Sequence, residues 1–231
     1  MERIFIHLLV LVFSVVVHEY AHGLAAYRLG DNTARLHGRL TLNPLNHIDP
    51  IGSLVVPIFL FVTGGMMFGW AKPVPVRVGN LNNPKNDHPK VAAAGPLANL
   101  MLAFISAVGL GIVAVVGELL VRNGVEAAAN GKSPVAFFMQ LFQTGILLNV
   151  MLAMFNLVPI PPLDGSWVIS RFLPYPAKGY YENLRRYGFL PVIGFIILMQ
   201  TTGVGAVFSG VIRTAYNGFV NITLTIINLA V

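Results

Sequence analysis

Cysteine is absent from the 231-residue chain. Disulfides and thiolate metal sites are therefore excluded, and any bound metal must draw its ligands from histidine and carboxylate. Charge is nearly as scarce. Only 10% of the residues are Asp, Glu, Lys or Arg, against 55% hydrophobic, and the mean hydropathy is +0.72. That is too apolar for a soluble α/β domain of this length and falls in the range of integral membrane proteins. Internal repeats and low-complexity tracts are missing too, which sets aside solenoids and compositionally disordered tails. The net charge of +6 does not point to nucleic acid, because the 15 basic residues are dispersed between apolar runs, as orientation signals are.

What is present is a series of apolar spans. Ile4 to about Leu29 is long enough to cross a bilayer, at about 1.5 Å per helical residue. It is interrupted by polar residues and followed by no small-residue cleavage site, so it reads as retained rather than as a signal peptide. Residues 30–50 are turn-rich around "LHGRLTL", which alternates like a strand. Residues 51–70 are apolar but broken by Pro57, Gly64 and Gly65, and a second strand pattern covers Lys72–Val78. Val91–Val121 is the second span, and Val135–Val158 is the third, ending in "NLVPIPPLDG". An amphipathic region with Arg171, Lys178, Arg185 and Arg186 precedes one or two further spans after Phe189. The expected fold is an all-α polytopic membrane protein of about four to five transmembrane helices. A re-entrant segment and a small β-sheet or hairpin lie between the first two spans. It forms one domain over 1–231, with a core at 4–173 and C-terminal helices at 189–231.

Counting Lys and Arg orients these spans. If segment 51–70 dips in and returns, loops 28–50, 70–90 and 159–188 share a side with 3 + 4 + 4 = 11 basic residues, against 2 in 122–134. If it crosses, the two sides carry 3 + 2 = 5 and 4 + 4 = 8. The positive-inside rule favours the re-entrant arrangement, with the eleven-residue side cytoplasmic.

Within the first span, His18, Glu19 and His22 form H-E-x-x-H. A four-residue helical spacing turns both imidazoles one way, so that they can reach one Zn²⁺, while the glutamate can touch a metal-bound water. Three ionisable side chains in hydrocarbon need a shared reason, more so than in a soluble helix. A catalytic zinc usually takes a third protein ligand. Asp164 is the candidate, since Pro159, Pro161 and Pro162 hold the chain before it out of helix and Gly165 permits close approach. The plainer alternative for Asp164 is an N-cap opening the next helix.

Three ordered motifs, "HEYAH" at 18–22, "AAGPLANL" at 93–100 and "NLVPIPPLDG" at 156–165, give the chain a resemblance to the site-2 proteases, intramembrane zinc metalloproteases. The resemblance covers roughly residues 4–173 and looks like the compact, prokaryotic-type branch. There is no room for a PDZ domain between the second and third spans and no CBS tail. It implies a membrane-embedded core with zinc on His18, His22 and Asp164 and Glu19 as the catalytic residue. Its implied partners are the bilayer and a transmembrane protein or peptide substrate, not nucleic acid. The implied location is a prokaryotic cell membrane, with the active site toward the cytoplasm.

Zinc lowers the pKa of bound water toward about 7, and Glu19 would take that proton and pass it to the leaving amine. Asn99 and Asn156 are candidates for substrate or oxyanion contacts; the alternatives are an interhelical hydrogen bond for Asn99 and capping for Asn156. The strand patterns at 36–42 and 72–78 offer an edge for an extended substrate or a cover for the re-entrant segment. His7, His37, His47 and His88 read as interfacial or solvated. A transporter would also use broken helices and buried charges but has no need of H-E-x-x-H. A non-catalytic zinc-binding membrane protein would not need Glu19.

Overall fold

In the computed structural model the described residues are 2–47, 49, 52, 55, 58, 59, 62 and 72–230. The longer helical elements are α1 (Glu2–Arg28), α2 (Thr33–Leu36), α3 (Pro84–Arg122), α4 (Pro134–Asn156), α5 (Asp164–Ser170), α6 (Ala177–Asn183), α7 (Leu190–Thr201) and α8 (Val204–Ala230), with short 3₁₀ turns between some of them.

Helices α1, α3 and α4 are long and apolar enough to cross a membrane; α7 and α8, bent by 95° at a short break, make a fourth span if counted together. The expected four to five spans thus become three or four among the described residues. No more than 33% of the most apolar window of each long helix is buried inside the protein. Phe5, Phe13 and Phe104 point outward from them. Such large outward apolar surfaces are unsuited to water, and the chain is an integral membrane protein in contact with the bilayer.

Helix α3 starts seven residues before the predicted Val91. The reason is a local cap in a stretch that reads as polar loop. Pro84 takes the first helical position, where its missing N–H costs no hydrogen bond. Asn83 Oδ1 accepts from the Asn86 N–H at 3.3 Å, and the Asp87 carboxylate accepts from the Asn83 N–H at 2.8 Å. This is a reciprocal capping arrangement.

The chain forms two compact units. One comprises residues 1–11, 99–155 and 192–231. Its core is Ala103, Ala107, Leu110, Ile146 and Val150, with Phe142, Phe219 and Ile222 packed against it. Small residues allow close helix approach there, and the Thr223 hydroxyl donates to the Ala107 carbonyl at 2.8 Å. The other unit comprises residues 12–98 and 156–191. Ala26, Leu81 and Val91 form its apolar cluster, with Leu29, Val76 and Val78 around them.

No strand occurs among the described residues, so the expected β-sheet or hairpin is corrected. At 36–42 the chain is the last residue of α2 followed by turns and bends. At 72–77 the backbone groups bond elsewhere than to a partner strand. The Lys72 N–H donates to the His47 carbonyl, the Val74 N–H to Glu19 and the Arg77 N–H to Asp31, while the Arg39 guanidinium donates to the Lys72 carbonyl. A ladder needs those same groups. The predicted re-entrant segment at 51–70 lies almost wholly outside the described residues.

Candidate metal centre

The second unit holds the H-E-x-x-H turn of α1, the first turns of α3 and the start of α5. His18 and His22, one helical turn apart, bring their Nε2 atoms to 3.0 Å. Asp164 opens α5, after Leu163 in extended conformation. Its Oδ2 lies 3.2 Å from His18 Nε2 and 3.4 Å from His22 Nε2. Asp164 is thus the first residue of the helix rather than its N-cap, which is Leu163, so the N-cap reading is corrected; its carboxylate lies beside the imidazoles.

Two glycines make this approach possible. A Cβ on Gly95 would stand 2.4 Å from His22 Nε2 and 2.6 Å from His18 Nε2, so only a bare backbone lets α3 lie against the imidazoles. A Cβ on Gly165 would meet the Leu157 carbonyl oxygen at 2.1 Å, so the same holds where α5 turns off the end of α4.

The hydrogen bonds suit a metal. His22 Nδ1 donates to the Val91 carbonyl at 2.7 Å. That bond fixes the tautomer and leaves the Nε2 lone pair for a ligand. Asp164 Oδ2 is buried and has no hydrogen-bond partner, a costly state for a carboxylate oxygen unless a cation faces it. Tetrahedral zinc with ligands at about 2.0–2.1 Å separates its ligand atoms by about 3.3 Å. The three distances here run from 3.0 to 3.4 Å, and these residues form a cluster able to hold a metal ion. The donor set of two imidazoles and a carboxylate fits zinc. Glu19 is half-buried on the same turn, and its Oε2 accepts the Val74 N–H at 2.8 Å.

A family model described as peptidase family M50 matches residues 6–199. The chain belongs to peptidase family M50. Among curated relatives, the "Putative zinc metalloprotease YwhC" of Bacillus subtilis is 38% identical over 191 residues, covering 83% of this chain and 78% of that protein. The "Putative zinc metalloprotease Rip2" of Mycolicibacterium smegmatis is 30% identical over 187 residues, covering 80% of this chain and 64% of that one. No solved structure matches. The M50 chain is an intramembrane zinc metalloprotease, and Zn²⁺ is its cofactor.

The two candidate asparagines fall in different places. Asn99, fully buried in α3, donates from Nδ2 to Asn149 Oδ1 at 2.8 Å, and Asn149 donates in turn to the Gly145 carbonyl at 2.9 Å. Asn156 is the last residue of α4 and belongs to the unit that holds the imidazoles. The residues that sequence reading missed are chiefly those that position others: Val91 and Val74 through backbone groups, and Asn149 as the partner of Asn99. Asp31 is another. It is fully buried and accepts from Thr33, from the Arg77 N–H at 2.6 Å and from Asn80 Nδ2 at 3.1 Å. His47 is buried rather than solvated, with Nε2 at 2.8 Å from the Thr41 carbonyl.

Proposed function

We propose that this M50 protease holds its zinc on His18, His22 and Asp164 and hydrolyses peptide bonds within or near transmembrane segments, with Glu19 as the proton carrier. The observation that carries this reading is the trio of candidate ligand atoms 3.0–3.4 Å apart, one of them a buried carboxylate oxygen that faces the two imidazole nitrogens and has no hydrogen-bond partner. Zinc bound there supplies Lewis acidity toward water and the scissile carbonyl. The protein supplies the rest. The Val91 carbonyl orients His22, Gly95 lets the helices close around both imidazoles, and Gly165 seats Asp164. The Val74 N–H holds one oxygen of Glu19, leaving the other to take a proton from the attacking water and return it to the leaving amine. Asn99 and Asn156 are assigned as candidate substrate contacts; the Asn149 bond supports a packing role for Asn99 as well.

The whole chain acts as one integral-membrane protease domain, with the centre toward the cytoplasmic side of the cell membrane. Two observations support this orientation. The loops flanking the centre carry eleven basic residues against two in 122–134. The His22 to Val91 bond and the Asp164 contacts join the later half of α1, the start of α3 and the chain after α4 within one unit, which supports a common side for these ends. Transmembrane protein segments are the substrate class, and nucleic acid has no part.

The test is cleavage of single-span peptides in detergent by wild type and by Glu19→Gln. The variant should keep stoichiometric zinc while its turnover falls by about 10³-fold or more. Wild-type cleavage should stop with a chelator. Undiminished proteolysis by Glu19→Gln would remove Glu19 from the mechanism, and chelator-resistant cleavage would remove the metal.

A further inference from the structure

Residues 171–190 follow directly on α5, and the reaction makes no use of them. This segment carries Arg171, Lys178, Arg185 and Arg186 against a single acid, Glu182. It exposes Phe172, Tyr175, Tyr180 and Tyr187, with Tyr175 at 90%. Basic and aromatic side chains together on the surface of a membrane protein mark the headgroup layer, where rings sit half in lipid and cations meet phosphate.

One residue in it is out of place for a solvated cation. The Arg185 guanidinium carbon lies over the Trp167 ring, 3.1 Å from its centroid. His88 closes on the same ring, with centroids 4.2 Å apart. Stacking fixes the guanidinium plane, yet its Nε and Nη2 are buried and bond to nothing in the protein. Burial pushes the Arg185 pKa below its ordinary value. Glu182, the one acid of the segment, is engaged with Lys178 at 3.8 Å. A donor fork with two unused N–H groups lacks one partner, an anion with several acceptor oxygens. Phosphate has that geometry, and it pairs with a guanidinium in bidentate fashion.

We propose that Arg185, stacked on Trp167, binds the phosphate of an anionic phospholipid at the membrane surface. The site is linked to the metal centre by short connections. Trp167 is three residues after Asp164 in α5, and the Tyr181 hydroxyl donates to the Pro159 carbonyl at 2.7 Å, in the proline segment leading to Asp164. A headgroup that fills the Arg185 fork therefore braces the helix that presents the carboxylate.

The experiment is native mass spectrometry of the detergent-purified protein after exchange into phosphatidylglycerol or phosphatidylcholine. Zinc content and thermal unfolding are measured alongside as folding controls, so the readout does not depend on protease activity. Wild type should retain one phosphatidylglycerol that Arg185→Gln releases about tenfold more readily, with phosphatidylcholine held weakly by both. Arg185→Lys, which keeps charge and loses the fork, should behave as Arg185→Gln; the neighbouring exposed Arg186→Gln should behave as wild type. Equal retention by wild type and Arg185→Gln overturns the proposal, as does an equal loss in Arg186→Gln. Displacement of the retained lipid by millimolar inorganic phosphate overturns the lipid assignment in favour of a free anion. Should Arg185→Gln lose zinc or unfold, Arg185→Lys with intact zinc and unchanged phosphatidylglycerol retention is equally decisive against it.

Discussion

At the scale of residues, the centre depends on what is missing from position 95 as much as on its ligands. Alanine there places a methyl carbon 2.4 Å from His22 Nε2, well inside van der Waals contact distance. Either α3 shifts or the imidazoles turn away. Gly95→Ala should therefore lower zinc affinity by about 100-fold or more while far-UV circular dichroism stays that of wild type, and metal analysis after dialysis measures it. The proposed ligands were legible as candidates in sequence because helical periodicity places His18 and His22 together, and prolines with a following glycine single out Asp164. The role of Gly95 was not legible as sterics, since it exists only once α3 lies against α1. Asp31 was missed for a like reason: two of its donors come from positions 46 and 49 residues away. Burial alone would raise its pKa, but the Thr33 hydroxyl, the Arg77 and Thr33 N–H groups and Asn80 outweigh that and hold it below the usual carboxylate range. A depressed folded-state pKa stabilises the protein above the unfolded value and loses that contribution as acid protonates the group, below about pH 4. Asp31→Asn turns an acceptor facing the Arg77 N–H into a donor, or leaves that N–H unpaired. It should cost about 1–3 kcal/mol, seen as a lower unfolding temperature in detergent at pH 7, with the gap to wild type narrowing in acid.

At the scale of elements, the informative error is the strand pattern at 72–78. Alternation of apolar residues there does indicate a chain that shows one side to the protein: Val74 is buried, and its side chain reaches the face of α1 at Gly23. Alternation cannot say what takes the backbone hydrogen bonds, and here side chains of other segments take several of them. The Arg39 guanidinium donates to the Lys72 carbonyl at 2.7 Å, which holds the segment whose Val74 N–H engages Glu19. Arg39 is thus a positioning residue, acting on Glu19 through that segment. Arg39→Ala should lower kcat by about tenfold with KM and zinc content unchanged, since supporting contacts of this kind are worth 10–100-fold. Val74→Pro removes the donor itself and should lower kcat at least as far. An Arg39→Ala enzyme with wild-type kcat would show that the segment holds its place without the guanidinium. The early start of α3 carries the same lesson in reverse: its cap was written in Asn83, Pro84 and Asp87, but polarity and proline content drew the reading toward loop.

At the scale of the whole molecule, the long helices were legible because hydrocarbon demands about 20 apolar residues for each crossing, a signal no local detail obscures. The bend of 95° between α7 and α8 was not, because apolarity fixes length and says nothing about direction at a break. Orientation follows from charge, and the two arrangements of residues 29–83 differ in a way that one experiment separates. The chain has no cysteine, so a single introduced thiol reports its own side of the membrane. Leu45 and Lys132 are exposed positions in two connections, and Lys85 is exposed in the first turn of α3. If the segment between α1 and α3 returns to its starting side, Leu45→Cys and Lys85→Cys share the cytoplasmic face and Lys132→Cys lies opposite. If it crosses, Leu45→Cys groups with Lys132→Cys instead. The eleven-to-two distribution of basic residues predicts the first pattern under the positive-inside rule. In intact cells, a membrane-impermeant maleimide should label Lys132→Cys alone, and in inverted vesicles it should label Leu45→Cys and Lys85→Cys. Outside labelling of Leu45→Cys together with Lys132→Cys would show that the segment crosses, whereas outside labelling of Leu45→Cys and Lys85→Cys with Lys132→Cys protected would reverse the orientation.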